Sequence, residues 1–276
     1  MRRRLPPLVG AGLSIVAVVV LVALLAPVLS PHDPRALSGD SLEHPSAEHL
    51  LGTNDIGQDI LSEVVWGART SLIVAVGVPA IALGLALSIG VAAGLLGGWV
   101  DFVVTRLVDV FLAVPVLPLL ILVAALAGSS LGTLVVVIGL VGWPRVARIL
   151  RAQTLTLRQR GFVQAARGLG KGPAYVVRRH LVPALGPLLV ANFVTIAGVA
   201  VLVEAGLSFL GLGDPTRVSW GQVLNRALAF PGIYFSSAWT WWALPAGLAI
   251  TLTVLGLTFL GVGLEPALNP RWNRAT

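Results

Sequence analysis

Residues 145–179 read RVARILRAQTLTLRQRGFVQAARGLGKGPAYVVRR, and this basic segment holds nine Lys or Arg residues and no Asp or Glu. Long apolar stretches lie on both sides of it. Loops beside membrane spans retain Lys and Arg on the cytoplasmic side. The basic segment is therefore typical of a cytoplasmic loop in a membrane protein, and its small central residues predict a docking surface for a cytoplasmic partner.

The composition of the whole chain indicates that lipid surrounds most of it. Of its 276 residues, 56% are hydrophobic and 11% are charged, whereas soluble domains carry about 25% charged residues. The net charge of +7 does not indicate nucleic-acid binding, because the basic residues border apolar spans and no nucleic-acid motif is present. The chain has no Cys, which excludes disulfides, thiolate nucleophiles and Cys-ligated metals.

Six apolar segments predict an all-α integral membrane protein with six spans. Each is long enough for a helix that crosses ~30 Å of hydrocarbon, in which helices satisfy their own backbone groups. The first resembles a signal peptide, but Pro27 directly after Ala26 disfavours cleavage, so we expect this span to be retained. The segments cover about residues 8–29, 70–98, 103–127, 131–151, 184–205 and 239–263.

The charge distribution predicts that both termini lie in the cytoplasm. Starting with the arginines at positions 2–4 inside, six crossings place the loops at about 30–69 and 206–238 outside and the loop at about 152–183 inside. The first outer loop holds seven acidic residues, whereas the basic segment and the C-terminal arginines fall inside. These observations agree with one orientation.

The loops divide the chain into two parts. Residues 1–69 form the first span and an acidic extracytoplasmic loop, and residues 70–276 form a core with five spans. Small residues in the spans predict close helix contacts. Those singled out are Gly84, Gly90, Gly94, Gly97 and Gly98.

Aromatic and basic side chains near span ends predict contacts with lipid headgroups. Trp239, Trp241 and Trp242 at the start of the sixth span predict an interfacial belt. Three arginines recur every three residues at the end of the fourth span, and we expect them to extend towards the headgroups. They are Arg145, Arg148 and Arg151.

The chain carries no recognisable catalytic or nucleotide-binding motif. Residues 168–172 (GLGKG) lack the spacing of a phosphate-binding loop, so the chain is not expected to hydrolyse ATP or to be an enzyme. No nucleophile elbow or zincin motif is present, and no cofactor is predicted. His32, His44 and His49 share the acidic loop and could bind a divalent metal, but their irregular spacing favours solvated side chains.

The centre of the basic segment carries the first resemblance to a known family. Gln164-Ala165-Ala166, followed by Gly170, His180 and Pro183, resembles the EAA loop of ABC importer permeases. Gln164 stands where that family usually has Glu. The resemblance implies a coupling helix that sits in a groove of an ATPase subunit, with Ala165 and Ala166 as its knob-like face. The implied coupling residues are Gln164, Ala165, Ala166, Gly168, Gly170, Lys171, His180 and Pro183.

Three further segments resemble the dipeptide, oligopeptide and nickel group of these permeases, and its C-type subunit in particular. One is the outer-loop run from His49 to Leu72, in which Gln58 stands where the group usually has Arg. The others are Glu204 to Gly213 with Trp220-Gly221, and Pro245 to the terminal Asn269-Pro270-Arg271.

The resemblance implies a type I ABC importer permease in the bacterial plasma (inner) membrane that forms half of a pathway for di- or oligopeptides. Its implied partners are a homologous second permease, two cytoplasmic ATPases that bind ATP and Mg, and an extracytoplasmic substrate-binding protein. The alternative is a nickel or metal-chelate importer, which the three histidines of the acidic loop favour. An ion-driven carrier lacks support because no inverted repeat is evident, and a membrane enzyme lacks a catalytic set.

Several charged or aromatic residues have open roles within this resemblance. Arg106 and Asp109 are three residues apart and, with Asp101, predict a structural ion pair or a gating contact at the inner end of the third span. Glu204 predicts helix packing or loop anchoring, or else lining of the substrate path. The segment 209–224 is expected to contact the binding protein. Its candidate residues are Phe209, Leu212, Asp214 and Trp220.

Overall fold

The computed structural model describes residues 7–268, with side chains described for 7–264, and within that range it contains helices and no β-strand. Two predictions lie outside the described residues. They are the cytoplasmic placement of Arg2–Arg4, Arg271 and Arg274, and the end of the C-terminal motif at Asn269-Pro270-Arg271. The helices are α1 (Pro7–Leu29), α2 (Ile60–Leu96), α3 (Gly98–Ala113), α4 (Val116–Ala127), α5 (Leu131–Leu157), α6 (Gly161–Gly168), α7 (Pro173–Val176), α8 (Val182–Phe209), α9 (Trp220–Ala229) and α10 (Ala243–Leu268). A π-helical turn (Val177–Leu181) joins α7 to α8, and two 3-10 turns (Pro231–Phe235 and Ser237–Thr240) precede α10.

Arginines of the basic segment hold it against the C-terminal end of α2. Arg158 Nη1 donates to the carbonyl oxygen of Gly94 at 3.1 Å, and Arg167 Nη2 donates to that of Leu95 at 3.3 Å. The last carbonyl groups of a helix have no partner within the helix, and cations are favourable beside them. We call this end of the molecule the basic end.

The opposite end is held together by the two long loops, residues 30–59 and 210–242. Asp214 in the second loop accepts a hydrogen bond from the backbone N–H of Leu131, the first residue of α5, at 2.9 Å. The backbone N–H of His32 in the first loop donates to Ser62 Oγ at the start of α2, at 3.2 Å. We call this the acidic-loop end. Helices α2 and α5 therefore both run from the acidic-loop end to the basic end.

The chain must cross back between α2 and α5, and α3 and α4 together make this crossing. They meet at a bend of 82° instead of forming the continuous span predicted for 103–127. Pro115 explains the break, because proline lacks an N–H and forces the preceding residue, Val114, out of the helical conformation. With the bent pair counted as one span, the predicted six crossings and the all-α membrane fold are confirmed.

Helix α1 packs antiparallel against α10. A Cβ atom placed on Gly12 would lie 2.7 Å from the carbonyl oxygen of Gly256, and one on Gly263 would lie 2.4 Å from Val9. Since α1 ends at the acidic-loop end, its first described residue lies at the basic end, as does Leu268 of α10. The described termini thus share one end with the basic segment, the relation that the topology prediction requires.

Glycines bring α2 and α5 into close contact. A Cβ atom on Gly90 would lie 2.6 Å from the carbonyl oxygen of Ala147, and one on Gly94 would lie 2.7 Å from Thr154 Cβ. Larger residues there would push the helices apart. The same prediction is wrong for Gly84 and Gly98, whose Cβ positions have no neighbour within 4 Å in the described structure.

Two of the three tryptophans expected at the membrane interface are buried. Trp241 is 8% exposed and Trp242 is fully buried, whereas Trp239 is 49% exposed. The indole of Trp241 contacts the ring of His44, and that of Trp242 packs near Phe230. The belt prediction is therefore wrong for Trp241 and Trp242, which hold the loops of the acidic-loop end onto α10.

Candidate functional site

The basic segment folds into more helix than the loop predicted for 152–183. Helix α5 continues to Leu157, and α6 forms a short helix between two turns. Val163 and Ala166 on one side of α6 are buried in a cluster that includes Leu150 of α5 and Leu181. Arg158 before α6 and Arg167 in its last turn both donate to the end of α2, so the position of α6 is fixed relative to the membrane helices.

The outward side of α6 is small and partly apolar. Phe162, Gln164, Ala165 and Gly168 are exposed, and Leu169 directly after the helix is 79% exposed. An exposed apolar group of this kind is characteristic of an interaction surface. Ala165 and Ala166 do not share this face, because Ala166 is only 8% exposed and contacts the core of its own chain. The expectation that both alanines form the outward knob is therefore wrong for Ala166.

The remaining coupling candidates lie around α6. Gly170 has φ +74°, a conformation that glycine adopts readily, and it turns the chain after α6. His180 lies beside Phe162, with ring centroids 5.7 Å apart, and beside Tyr175 at 5.8 Å. Lys171 lies 5.4 Å from the Tyr175 ring. Pro183 is exposed near the start of α8.

Sequence reasoning did not select Phe162 or Tyr175. The structure joins both rings to His180 on the outside of the basic end, within the same surface as the predicted coupling residues. Two aromatic residues within an otherwise basic segment were the available signal.

Ion pairs connect α3 to α5 near the basic end. Arg151 binds the carboxylate of Asp101, with Nη2 to Oδ2 at 2.6 Å, and Arg148 binds Asp109. Arg106 also lies 3.6 Å from Asp109, which agrees with the predicted pair, but this arginine is exposed. Arg148 and Arg151 hence do not extend freely to headgroups as expected. They attach the bent α3–α4 pair to the straight α5.

Glu204 is buried within α8. It is 2% exposed, and its Oε1 accepts a hydrogen bond from Ser208 Oγ at 2.6 Å. The other carboxylate oxygen has no hydrogen-bond partner in the described part of the chain. This geometry agrees with the packing and anchoring role, and Glu204 does not line the cavity described below.

The candidate binding-protein contacts at the acidic-loop end differ greatly in exposure. Phe209 is 38% exposed, but Trp220 is 3% exposed and its indole N–H donates to the carbonyl of Val64 at 2.7 Å. Leu212 is half-buried in the core. Burial would raise the pKa of Asp214, but hydrogen bonds from Thr216 and the backbone of Leu131 outweigh it and lower the pKa. The predicted partner contact is therefore wrong for Trp220.

A buried polar network holds the two loops of the acidic-loop end together. Glu63 in α2 is fully buried and accepts hydrogen bonds from Arg226 Nη1 at 3.0 Å and from Asn54 Nδ2 at 3.3 Å. Arg226 Nη1 also donates to Gln58 Oε1 at 3.0 Å. Sequence reasoning placed Glu63 in the solvated loop and did not select Arg226. An acid at the start of an apolar helix was the signal, because a buried charge requires a partner.

Two of the three histidines of the acidic loop lie together. The rings of His32 and His49 are 4.7 Å apart, and ligand atoms of His32, Glu48 and His49 all lie within 4.8 Å of one another. His49 is 1% exposed, and its Nδ1 is 3.0 Å from Asp59 Oδ1. Burial would lower the pKa of His49, but the hydrogen bond and the charge of Asp59 raise it. The expectation of a solvated side chain is wrong for His49, and His44 lies apart beside Trp241.

A cavity of about 320 Å³ lies between α2, α3, α4, α5 and α8. Most of its lining is aliphatic, from residues such as Val78, Leu120 and Ile138. Three polar side chains also line it. They are Arg145 on α5 and Asn192 and Thr195 on α8.

Comparison with known proteins gives the family. The family model described as "Binding-protein-dependent transport system inner membrane component" matches residues 84–274. A protein of Brucella suis biovar 1 (strain 1330) that is named as a peptide permease is 36% identical over 262 residues, which cover 94% of this chain and 86% of that protein. The dipeptide transport system permease protein DppC of Alkalihalophilus pseudofirmus is 35% identical over 263 residues, covering 94% and 84%. This chain therefore belongs to the binding-protein-dependent transport system inner membrane components, which are multi-pass permease subunits of the bacterial inner membrane.

Proposed function

We propose that this chain is one of two permease subunits in an ATP-driven importer of di- or oligopeptides. The observation that carries the proposal is the similarity to peptide and dipeptide permeases over 94% of the chain. The second permease, two ATPases and an extracytoplasmic binding protein complete the transporter. This chain supplies half of the translocation pathway and no catalytic group.

The surface of α6 is the proposed contact with an ATPase. Ala165, Phe162 and Leu169 point outwards, while the opposite side of α6 is buried against α5 and the turn before α8. When ATP closes the two ATPases, α6 moves with them and shifts the membrane helices that it contacts. Such a shift requires that the contacts of α6 differ in free energy between the two states of the transporter.

The acidic-loop end is the proposed contact with the binding protein. Phe235 is 92% exposed and Tyr234 is 71% exposed on the 3-10 turn before α10, and Phe209 is exposed at the end of α8. Aromatic residues are enriched in the buried centres of protein interfaces. Tyr234 and Phe235 therefore join Phe209 as candidates for that contact, and Trp220 is no longer one.

A nickel or metal-chelate importer is the second candidate function. The proximity of His32, Glu48 and His49 supports it, since imidazole and carboxylate groups bind several divalent ions. Asp59 would orient the His49 ring, as carboxylates beside metal-bound histidines commonly do.

ATP hydrolysis by the assembled transporter distinguishes these candidates. The complex is purified in lipid vesicles, and its binding protein is added empty, loaded with a di- or oligopeptide, or loaded with nickel. We expect the peptide-loaded protein to stimulate hydrolysis most. Stimulation by nickel alone would keep the mechanism and change the cargo, whereas failure of an ATPase to co-purify would contradict the proposed function.

A further inference from the structure

One of the three regularly spaced arginines of α5 has no acidic partner among the side chains that the structure describes. Arg148 binds Asp109 and Arg151 binds Asp101. Among the side chains of residues 7–264, none forms an ion pair with Arg145. Arg145 instead lines the cavity between α4, α5 and α8.

The position of Arg145 along α5 is costly for an unpaired cation. It lies twelve residues before Leu157, the last residue of α5, or about 18 Å from that end at 1.5 Å per residue. Arg145 also lies within the range of about 131–151 that the sequence predicts for the fourth span. Ionisable residues inside membrane spans are rare, face cavities or partners, and mark the paths of substrates.

Two polar residues of α8 that line the same cavity as Arg145 offer hydrogen-bond acceptors. Asn192 Nδ2 donates to the carbonyl of Leu188 at 2.8 Å, which leaves its Oδ1 available. Thr195 Oγ1 donates to the carbonyl of Ala191 at 3.0 Å and retains its acceptor capacity. Asn192 lies ten residues after Val182, the first residue of α8, so it is about 15 Å from the basic end of that helix. Asn192 and Arg145 line the same cavity.

We propose that Arg145 binds the carboxylate of a peptide in transit, while Asn192 and Thr195 accept hydrogen bonds from its N–H groups. The aliphatic remainder of the cavity suits varied side chains. At about 320 Å³ the cavity is at the lower end of the ~300–1,000 Å³ range of ligand sites, as expected of half a pathway. This assignment rests on the proposed function and specifies which substrate group this subunit contacts.

The binding has to be weak enough for release, because conduction fails when a site holds its substrate too tightly. The single exposed guanidinium of Arg145 binds a carboxylate weakly enough for release. A site that encloses the carboxylate and fixes it with several charges would hold it too tightly.

Uptake of two matched peptides tests the assignment. Vesicles containing the complete transporter receive one peptide with a free C-terminal carboxylate and the same peptide as its C-terminal amide, each on the binding protein. For each peptide, uptake by the Arg145→Gln variant is divided by uptake by the wild type, which cancels the preference of the binding protein. We expect uptake of the free acid to fall about tenfold, since a charge-assisted hydrogen bond is removed. Uptake of the amide should fall by less than about twofold. Arg145→Lys should recover part of the free-acid uptake.

A matched arginine outside the cavity separates carboxylate binding from a general effect of lost charge. Arg106→Gln removes such a cation and should change the uptake of acid and amide by the same factor, because Arg106 does not line the cavity. Equal losses for acid and amide in Arg145→Gln would overturn the proposal, because Arg145 would then not distinguish the two C-terminal groups. If vesicles with the wild-type transporter take up neither peptide, the proposed function itself is wrong. This result is obtained before any variant is compared.

Discussion

Single side chains at the acidic-loop end illustrate how a buried charge is stabilised. The carboxylate of Glu63 is fully buried, and Arg226 provides the cation that compensates for its loss of water. Arg226 is itself 44% exposed, so solvent weakens the attraction. Its removal nevertheless leaves a buried charge without its main partner.

Substitution of Arg226 tests this interpretation. We expect Arg226→Ala to lower the stability by about 1–3 kcal/mol and to reduce the thermal unfolding midpoint of the purified permease by several degrees. The matched control is Arg217→Ala, because Arg217 is more exposed and lies 4.0 Å from Asp214. Adding Glu63→Gln to Arg226→Ala should restore part of the loss, as interacting residues are not additive. Equal effects of the two arginine substitutions would contradict the assigned role of Arg226.

The same residues mark the limit of prediction from sequence. The sequence identifies Glu63 only as one of seven acids of the predicted outer loop, because the second span was expected to begin near residue 70, whereas α2 begins at Ile60. Its partner, Arg226, is 163 residues away, and no local pattern connects two residues at that separation. The buried state of His49 also depends on contacts between distant loops and could not be derived from its spacing.

Among the helices, the orientation of α6 decides which of its residues are available to a partner. The sequence resemblance selects Ala165 and Ala166 together, but a helix turns by about 100° per residue, so neighbouring residues cannot face the same surface. Burial of Val163 and Ala166, three residues apart, defines the inner side of α6. Ala165 remains on the outer side.

Two aspartate substitutions in α6 should consequently have different effects. Ala165→Asp is expected to leave the permease folded and inserted but to abolish stimulation of ATP hydrolysis, because the charge disrupts the outward surface. Ala166→Asp is expected to reduce the yield of folded permease, because it places a carboxylate in an apolar cluster. Size-exclusion profiles and ATPase assays separate the two outcomes, and Gln164→Glu serves as an exposed charge control. A folded, fully active Ala165→Asp complex would argue against α6 as the coupling surface.

Helix boundaries show which elements the sequence predicts well. Long apolar segments predict α1, α5, α8 and α10 because length and hydropathy alone identify a span. The break between α3 and α4 was missed, since the apolar run continues through Val114 and Pro115 and hydropathy does not register it. Proline at position 115 was the signal for the bend, and no local pattern gives the angle of 82°.

For the whole molecule, two ends of opposite character follow from one topology. The basic end joins α6, the end of α2 and the described termini, whereas the acidic-loop end joins the two long loops. The positive-inside rule assigns the basic end to the cytoplasm. With this orientation, the proposed function requires that α6 contacts the ATPase and that the exposed aromatic residues of the other end contact the binding protein.

Site-specific crosslinking from Ala165 tests this requirement most directly. The chain has no cysteine, so Ala165→Cys provides the single thiol of this chain for a photoactivatable crosslinker, and Phe235→Cys provides the matched position at the opposite end. The labelled permease is then assembled with the other subunits. We predict that Ala165→Cys captures an ATPase subunit and that Phe235→Cys captures the binding protein. Capture of the binding protein from Ala165→Cys would contradict both the orientation of the permease and the coupling role of α6.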